Sequence, residues 1–389
     1  MHSQRQVEDQ IKHTIMSKVQ VSEAVSKAAA KAFGLTEEGI ELIPFGSGHI
    51  NDTFKLSTSE PDEGPFLLQR INHYVFPKVD QLMENMVAVT AHLRTRIEET
   101  AGGNADKEVL TVLHTTGGLP YFIDELGNYW RMFKLLEGTR SYDVVTTIHQ
   151  AHEGGKAFGK FQRLLTDFDA SKLNVVLPKF HDIYFRLQQL EDAIKADSVG
   201  RAEEVKSECA QIDAFTDRAG TLQRMIYKGE LPMRVTHNDT KFNNVLLDEQ
   251  DRAQCVIDLD TVMPGYVAFD FGDAIRTAAN TAEEDEVNTE KIGVNLPIFE
   301  AFTNGYFEEA GSFLTEEEIN SLIEGVLLLP YMQAVRFLTD YINGDVYYKI
   351  HHSAHNLQRA KAQLAYFEAL KNAENELISM INKGLKLAE

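Results

Sequence analysis

The sequence predicts an α+β protein of two lobes, in which a small five-stranded antiparallel sheet precedes a larger, mainly helical part. Short strand-like segments fill residues 41–137, and helical periodicity dominates after about residue 141. The length of 389 residues also favours two domains or lobes, with a break at Gly138. We therefore expect a helical N-terminal extension over residues 1–35, a first lobe over 36–137 and a second lobe over 138–389.

The first lobe contains five strand-like segments and one long helix. ELIPFGSGHINDTFKLST predicts two strands joined by a glycine-containing turn, and GPFLLQRIN predicts a third. Two further strands are expected near EVLTVLHTT and NYWRMFKLLE. Between them and the third strand, a helical stripe is formed by Leu82, Met86, Val89, Leu93 and Ile97. Ahead of the sheet, an amphipathic helix is indicated by Val7, Ile11, Ile15, Val19 and Val21.

Composition limits the partners and the compartment. The formal net charge is −21, which argues against nucleic acid or an anionic membrane as the main partner because both need a basic surface. Only Cys209 and Cys255 occur, so a disulfide framework is not expected and a reducing compartment fits. The N-terminus lacks an apolar signal region, and the longest apolar run, GVLLLPYM, is short and interrupted by Pro330. We expect a cytoplasmic protein without a membrane span.

The stretch VTHNDTKFNNVLLDEQDRAQCVIDLD concentrates polar residues at the ends of two strand-like runs. A hairpin centred at Asp251 would place Asn244 opposite Asp258, with Cα atoms roughly 4.5–5.5 Å apart. An amide oxygen and a carboxylate there would suit Mg²⁺ when phosphate oxygens and water complete its coordination. Asp239 precedes this pair by one short loop, close enough to hold a substrate hydroxyl. The pattern predicts phosphoryl transfer.

These residues also carry a resemblance to a known family. HNDTKFNNVLLD resembles the His-x-Asp-x-x-x-x-Asn catalytic loop of the aminoglycoside phosphotransferase and choline kinase superfamily, and CVIDLD resembles its metal-binding strand end. Further segments, including FGSGHINDTFKL, WRMFKLLEGTRSYD and RFLTDYINGDVY, are similar to the N-acetylhexosamine 1-kinases over roughly residues 40–370. The resemblance implies a protein-kinase-like fold, Mg²⁺, ATP as donor, and the anomeric hydroxyl of N-acetylglucosamine or N-acetylgalactosamine as acceptor.

The resemblance assigns roles to individual residues. Asp239 is the expected catalytic residue, while Asn244 and Asp258 are the expected Mg²⁺ ligands. His237 and Asn243 are interpreted as residues that stabilise the loop. Two further acids, Asp270 and Asp273, lie too far downstream to end the metal-binding strand and are expected to support the catalytic loop. Asp260 could approach the metal or the substrate, or project into solvent.

The nucleotide and the sugar are assigned less directly. Expected nucleotide-binding residues are Gly46, Ser47 and Gly48 of the glycine turn, Arg70 in place of the usual lysine, Glu84 as its partner, and Lys134 and Leu136 at the adenine-facing segment. Expected substrate-binding residues are His49, Asp52, Arg336, Asp340 and Tyr341. Mg-ATP and a small sugar are thus the expected partners, with no nucleic acid and no membrane, and the sequence makes no prediction of oligomeric state.

Three alternatives stay open on the sequence alone. CVIDLDTVM also fits the Asp-x-Asp opening of haloacid dehalogenase-type phosphatases, in which Asp258 would be a nucleophile and Asp260 an acid or base. That interpretation leaves HNDTKFNN unexplained. A non-enzymatic scaffold is a second alternative, against which the intact Asp239, Asn244 and Asp258 argue. A kinase of another sugar, an aminoglycoside or a choline-like amine is the third.

Overall fold

The structure is a computed structural model that describes residues 23–36, 38–46, 50–60 and 64–388. Two compact units divide the chain. The first unit comprises Met1–Thr139 together with Leu173–Val176, and the second unit comprises Arg140–Lys172 together with Leu177–Glu389. Within the expected N-terminal extension, the helical stripe from Val7 to Val21 lies outside the described residues, and the described helix begins at Glu23.

The first unit is built on one five-stranded antiparallel sheet with the strand order β1-β2-β3-β5-β4. Together with the mostly helical second unit, this sheet confirms the predicted α+β fold class. The strands are β1 (Glu41–Pro44), β2 (Asp52–Ser57), β3 (Phe66–Ile71), β4 (Phe122–Ile123) and β5 (Tyr129–Lys134).

One predicted strand is wrong. The segment EVLTVLHTT is not a strand, and the two-residue β4 takes its place in the sheet. The segment still touches the same edge of β5, because Val112 forms a bridge to Phe133 and the N–H of Leu113 donates to the carbonyl of Met132 at 2.9 Å. Two short segments thus share an edge that the sequence pattern assigned to one strand.

Three helices accompany the sheet in the first unit: α1 (Glu23–Ala32), α2 (Val79–Glu98) and α3 (Ala105–Glu108). The predicted apolar stripe of α2 is buried throughout, as its period requires. Side chains from α1 and from strands β2, β3 and β5 form a separate core cluster, to which Phe33, Phe54, Leu68 and Trp130 contribute. The helix before the sheet therefore belongs to the core of this unit.

The second unit is mainly helical and has its own core. Its helices are α4 (Ile148–Leu164), α5 (Ile183–Ala196), α6 (Lys206–Ala219), α7 (Thr221–Tyr227), α8 (Val267–Ala278), α9 (Leu296–Ala310), α10 (Glu316–Ile342), α11 (His355–Asn372) and α12 (Glu374–Ala388). The 27-residue α10 packs against α5, α8 and α11 and so runs through the middle of this core.

Helix α10 passes through Pro330, where the sequence suggested an interruption. A proline inside a helix removes one backbone hydrogen bond, but Pro330 is buried among apolar neighbours whose packing offsets that loss. Thr315 and Glu318 start the helix with a reciprocal capping box. Among the described residues, α10 is the one helix whose length and hydropathy could cross a membrane, and 78% of its apolar window is buried inside the fold. Burial of this kind is typical of a core helix.

Two small antiparallel pairs lie within the helical unit. Strand β6 (Arg234–Thr236) pairs with β9 (Met263–Gly265), and β7 (Val245–Leu247) pairs with β8 (Ala253–Val256). The segment 237–244 connects β6 to β7, and the segment 257–262 connects β8 to β9. The polar residues that the sequence singled out lie on these two connections.

Close helix packing fixes the position of α8 behind them. A Cβ added at Gly325 of α10 would lie 1.9 Å from the carbonyl oxygen of Ala268, so only glycine allows α8 and α10 to approach at this point. The first turn of α8 is thereby held in one place. That turn carries Asp270.

Candidate active site

The segment His237–Asn244 begins where β6 ends and reverses the chain immediately. Asn238 has a φ of 65°, a left-handed conformation that asparagine adopts more readily than most residues. Its side-chain amide donates to the carbonyl oxygens of Thr236 at 3.2 Å and Thr261 at 3.0 Å. The reversal is therefore tied both to β6 and to the connection that follows β8.

Asp270 holds the loop from the first turn of α8. One carboxylate oxygen accepts from the backbone N–H of His237 at 2.9 Å, and the other accepts from that of Asn238 at 2.7 Å. Gln162 of α4 adds a third donor at 3.0 Å. Burial raises the pKa of Asp270, which is 1% exposed, while His237 and these N–H donors oppose that rise. The prediction that Asp270 supports the catalytic loop is confirmed.

His237 is a structural residue of the loop, as the sequence predicted. Its ring Nε2 lies 2.8 Å from the carbonyl oxygen of Ile257, which can only accept, so Nε2 carries the proton. The other ring nitrogen, Nδ1, accepts from the backbone N–H of Asp239 at 3.3 Å. With both nitrogens used by the backbone and no exposure to solvent, the ring joins the loop to the end of β8.

Asp239 follows directly and forms an ion pair with a residue that sequence reasoning overlooked. The Nζ atom of Lys241 lies 3.1 Å from one carboxylate oxygen of Asp239 and 3.4 Å from the other. The side chain of Asp239 is 21% exposed and that of Lys241 is 41% exposed, so both charges stay accessible to a ligand. Burial opposes ionisation of Asp239, but the positive charge of Lys241 holds the pKa of Asp239 below the usual value. Asp239 in turn raises the pKa of Lys241.

A buried charged group lies near Lys241. Arg276 of α8 donates from Nε to Asp273 and from Nη1 to Glu284, both at 2.8 Å, and it is 3% exposed. Asp273 and Glu284 favour the charged form of Lys241, and Arg276 opposes it. Asp273 therefore acts on the loop electrostatically, and its hydrogen-bonded partner in the described residues is Arg276.

The predicted pairing of Asn244 with Asp258 is wrong by one residue. The backbone N–H of Ile257, not Asp258, donates to the carbonyl of Asn244 at 2.9 Å. The difference arises at the turn of the hairpin. Leu247 pairs with Ala253, so the turn is centred on Gln250 instead of Asp251. A register shift then follows between Leu246 and Leu247. The two strands are also shorter than the runs NNVLL and QCVID suggested.

Both residues nevertheless present oxygen atoms of the kind that Mg²⁺ prefers. The side chain of Asn244 donates through Nδ2 to the carbonyl of Asp239 at 2.7 Å. In the described part of the chain this is the one hydrogen bond of that side chain, so its Oδ1 atom remains available as an acceptor. Asp258 is exposed and has a φ of 60°, a left-handed turn that ends the alternation of side chains along β8. An amide oxygen and an exposed carboxylate fit a hard cation.

No group of three or more His, Cys, Asp or Glu side chains suited to a metal occurs among the described residues. A cation at Asn244 and Asp258 would therefore need further oxygen ligands from phosphate and water. Asp260, which the sequence left open between substrate, metal and solvent, is 3% exposed and belongs to a short 3-10 helix over Leu259–Thr261. The solvent-exposed alternative for Asp260 is wrong.

A second polar cluster lies beside Asp239 in the same unit. The imidazole of His181 is 8% exposed, and its Nε2 lies 3.1 Å from the carbonyl oxygen of Asn238. The charges of three neighbours affect the pKa of His181, namely Arg336 of α10, Arg186 of α5 and Asp239. Burial and the two arginines lower the pKa of His181 to about 3, so the ring is neutral at physiological pH. Sequence reasoning predicted Arg336 here but overlooked His181 and Arg186, which no motif marks.

Two other residues expected to bind substrate have structural contacts. The carboxylate of Asp340 accepts the backbone N–H groups of Val346, Tyr347 and Tyr348 at 2.8–2.9 Å and the side-chain amide of Asn356 at 2.9 Å, so it holds the loop after α10. Tyr341 lies roughly 140° around the helix from Arg336. Its hydroxyl donates to Glu204 at 2.9 Å, and the guanidinium of Arg201 lies 4.4 Å from its ring centre.

In the first unit, part of the expected phosphate-binding turn is described. Gly46 has a φ of 77°, which a glycine adopts without strain, and it follows β1. Ser47, Gly48 and His49 lie outside the described residues.

Arg70 has a different partner from the one expected. It lies opposite Asp52 across the β2–β3 pair, and its Nε donates to the Asp52 carboxylate at 2.9 Å, with Nη2 also in contact. Glu84, the predicted partner, is exposed and accepts from Asn174 at 3.1 Å. The reason is geometric: a cross-strand neighbour is adjacent to Arg70, whereas Glu84 lies off the buried stripe of α2.

The segment expected to face adenine follows β5. Lys134 is exposed at the end of that strand, and its N–H donates to the carbonyl of Thr111 at 3.1 Å. The next N–H, that of Leu135, donates to Pro65 at 3.0 Å. The carbonyl of Leu136 accepts the Thr139 hydroxyl at 2.8 Å.

The chain matches a known protein family in sequence and several solved structures in fold. The family model APH, described as the phosphotransferase enzyme family, matches residues 41–300. In fold the chain is similar to a microcompartment-associated aminopropanol kinase, with a TM-score of 0.63 and 16% identity over 92% of this chain and 99% of that chain. It is also similar to an ethanolamine kinase of Plasmodium vivax, with a TM-score of 0.56 and 12% identity over 92% and 93% of the two chains. A third similar structure is a choline kinase from Cryptosporidium parvum Iowa II, with a TM-score of 0.53 and 13% identity over 93% of this chain and 98% of that chain. At these identities the likeness concerns the fold.

We predict that Lys241→Met raises the pKa of Asp239, because the substitution removes the positive charge that stabilises its carboxylate. An NMR titration of side-chain carboxyl carbons measures this pKa, with Asp239→Asn identifying the signal. Lys228→Met, which removes a lysine 68% exposed beside Glu230, is the matched control and should leave the signal in place. An Asp239 titration unchanged in Lys241→Met would contradict the ion pair.

Proposed function

The chain belongs to the APH phosphotransferase enzyme family, and on this basis we propose that it is an ATP-dependent kinase of a small hydroxylated substrate. We further propose the anomeric 1-hydroxyl of an N-acetylhexosamine as the acceptor. The observation that carries the proposal is the position of the Asp239 carboxylate, paired with Lys241 on a loop that Asp270 holds and next to the Asn244 side chain. In phosphoryl transfer such a carboxylate orients the attacking hydroxyl.

In the proposed reaction, the sugar hydroxyl donates a hydrogen bond to Asp239. Its oxygen forms a bond to the γ-phosphorus of ATP, the bond from that phosphorus to the bridging oxygen breaks, and ADP leaves with the electron pair. The hydroxyl proton passes to Asp239. Because Lys241 contacts both carboxylate oxygens, it keeps Asp239 ionised before transfer and places a positive charge beside the transferring group.

Mg²⁺ would be held by Asn244 and Asp258, with phosphate oxygens and water as its other ligands. Bound there, the ion supplies charge neutralisation for the phosphates. The short link between Asn244 and Asp239 supports a shared role, since the side chain of the first donates to the backbone carbonyl of the second.

The nucleotide is proposed to use groups of the first unit. Gly46, with Ser47 and Gly48, would offer backbone N–H groups to phosphate oxygens. Arg70 would donate to a phosphate while Asp52 fixes its orientation, a role for Asp52 that differs from the substrate contact implied by the resemblance. The backbone after β5, from Lys134 to Leu136, would face the adenine. Glu84 has no part in the Arg70 ion pair.

Local charge supports a sugar over a quaternary amine as acceptor. An aromatic cage for a choline-like cation needs open ring faces. Here the guanidinium of Arg336 lies 5.2, 5.9 and 5.6 Å from the ring centres of Phe180, Tyr347 and Tyr348. The cation of the protein therefore occupies the rings, and a second positive charge from the substrate would be repelled. A neutral polyol can accept hydrogen bonds from the same guanidinium.

The phosphatase alternative is disfavoured by the strand arrangement. A haloacid dehalogenase-type Asp-x-Asp follows a parallel strand that opens an α/β domain, whereas β8 pairs antiparallel with β7. Asp258 and Asp260 also differ strongly in exposure, since Asp258 is exposed and Asp260 is 3% exposed. We propose a cytoplasmic location, with which two free cysteines agree.

We predict that ADP is released from Mg-ATP in the presence of N-acetylglucosamine or N-acetylgalactosamine, and that phosphorus NMR finds the new ester at the anomeric carbon. Plain hexoses, choline and an aminoglycoside complete the acceptor panel.

Asp239→Asn should lower turnover by at least about a hundredfold while nucleotide binding persists, because it removes the proton acceptor. Asp192→Asn, an exposed acid on α5, is the control. Faster turnover of choline than of the acetylated sugars, or near-normal Asp239→Asn activity, would contradict the proposal.

We predict that Asp258→Ala abolishes the Mg²⁺-dependent part of ATP binding, because it removes a carboxylate ligand of the cation. Isothermal titration calorimetry with ATP, in Mg²⁺ and again in EDTA, separates that part from binding of the free nucleotide. Asp217→Ala removes a carboxylate whose side chain is 99% exposed and should bind Mg-ATP as the parent does. Equal Mg²⁺ dependence in Asp258→Ala and the parent would overturn the metal assignment.

A further inference from the structure

Among the described residues, two arginines near His181, whose ring contacts the loop of Asp239, lack a carboxylate partner. Arg186 of α5 donates from Nε and Nη2 to the carbonyl oxygen of Phe180 at 3.2 and 2.9 Å, and from Nη1 to Gln189 at 2.9 Å. In the residues that the structure describes, Arg336 of α10 donates one hydrogen bond, from Nη1 to Gln333 at 2.8 Å. Within the described part of the chain neither guanidinium forms an ion pair, although each carries five N–H donors.

The nearest acids are already engaged by other groups. The carboxylate of Asp182 accepts from the backbone N–H of Phe185 and from the Tyr227 hydroxyl, both at 3.0 Å. Asp239 is paired with Lys241. The chain carries a net charge of −21, yet within the described residues these two partly buried cations form no ion pair with an acid. Buried charges in proteins are normally paired.

The two guanidiniums also act on each other. Both lie over the ring of Phe180, with the guanidinium carbon of Arg186 at 6.0 Å and that of Arg336 at 5.2 Å from its centre. Burial and the charge of Arg336 lower the pKa of Arg186 to about 10, which is the direction expected when two like charges share a poorly solvated site. An anion bound at both guanidiniums would offset the repulsion that Arg186 experiences.

Unsatisfied polar atoms border the same cluster. The Nδ1 atom of His181 and the hydroxyl of Tyr348 are buried and have no hydrogen-bond partner among the described residues. Because Nε2 of His181 faces a carbonyl oxygen and carries the ring proton, Nδ1 is an obligate acceptor. One acceptor, one hydroxyl and two cationic donors together match a polar ligand that has an N–H or O–H group and an anionic group.

We propose that Arg186 and Arg336 bind a carboxylate or phosphate carried by the acceptor at a position away from the hydroxyl that faces Asp239. The inference rests on the proposed function, since it takes Asp239 as the residue that orients the reacting hydroxyl. It narrows the substrate class: N-acetylhexosamines with an anionic substituent are better acceptors than their neutral parents. Arg186, which lies on α5, is the residue to substitute when anionic and neutral acceptors are compared. Arg336 is less suitable because it also adjoins Asp239.

The test compares kcat/KM for three acceptors that share one ring: N-acetylglucosamine, its 6-phosphate and its 3-O-lactyl ether, which carries a carboxylate. We expect an anionic acceptor to exceed the neutral one by about tenfold to a hundredfold, the range for hydrogen bonds to charged groups. The two anionic arms distinguish a phosphate ester from a carboxylate. In Arg186→Gln the ratio of anionic to neutral kcat/KM should fall towards one, and Arg186→Lys should retain part of it.

Arg96→Gln is the matched control, because Arg96 is an exposed arginine on α2 paired with Glu99, and its variant should keep the parent ratio. Thermal unfolding verifies that each variant is folded. A parent ratio of one or less for both anionic sugars, or an unchanged ratio in Arg186→Gln and Arg186→Lys, overturns the proposal while sugar kinase activity stands.

Calorimetry without nucleotide separates this proposal from the proposed function. If no sugar is phosphorylated, the proposed function fails, and binding of the same three sugars and of inorganic phosphate decides the further inference. Binding of an anionic compound that Arg186→Gln weakens at least about tenfold supports an anion site at these arginines. Equal binding by the parent and Arg186→Gln, or no binding of any anionic compound, overturns it.

Discussion

A single buried carboxylate organises the candidate site. Asp270 accepts the backbone N–H groups of His237 and Asn238, where the chain turns through a left-handed residue before reaching Asp239. Without acceptors, two buried N–H groups would cost a large part of the stability of the loop. Helix α8 presents Asp270, and its own position depends on close contact with α10 at Gly325. The packing of the helical core therefore helps to fix the position of Asp239.

Charge is distributed unevenly around that loop. On one side, Lys241 joins Asp239 to the buried group of Arg276, Asp273 and Glu284, so positive and negative charges alternate and are compensated. On the other side, Arg186 and Arg336 lie beside an aromatic ring and form no ion pair in the part of the chain that the structure describes. The compensated side suits catalysis, because the ionisation of Asp239 stays fixed when a substrate binds. The uncompensated side suits recognition, because a ligand can supply the missing negative charge.

The sequence predicted the fold class and the loop because those features have local signals. Alternating strands, a helical stripe and the spacing of His237, Asp239 and Asn244 are all contained within short segments. The hairpin register and the partner of Arg70 depended on turn geometry and on cross-strand neighbours, which a pattern of letters does not contain. Likewise His181 and Arg186 come from segments far from the motif, and only tertiary packing brings them to Asp239. Lys241 carried a usable signal, since a lysine two residues after the candidate catalytic acid lies in the same turn.

We propose that the contacts of Asp270 place Asp239 for phosphoryl transfer. The most direct measurement is steady-state turnover of Asp270→Asn beside calorimetric ATP binding, since an amide offers one acceptor oxygen where the loop needs two. We expect the kcat of Asp270→Asn to be lower by at least about tenfold, because misplacing a reacting group is costly, and we expect its ATP affinity to change little. A folded Asp270→Asn protein with the kcat of the parent would contradict it.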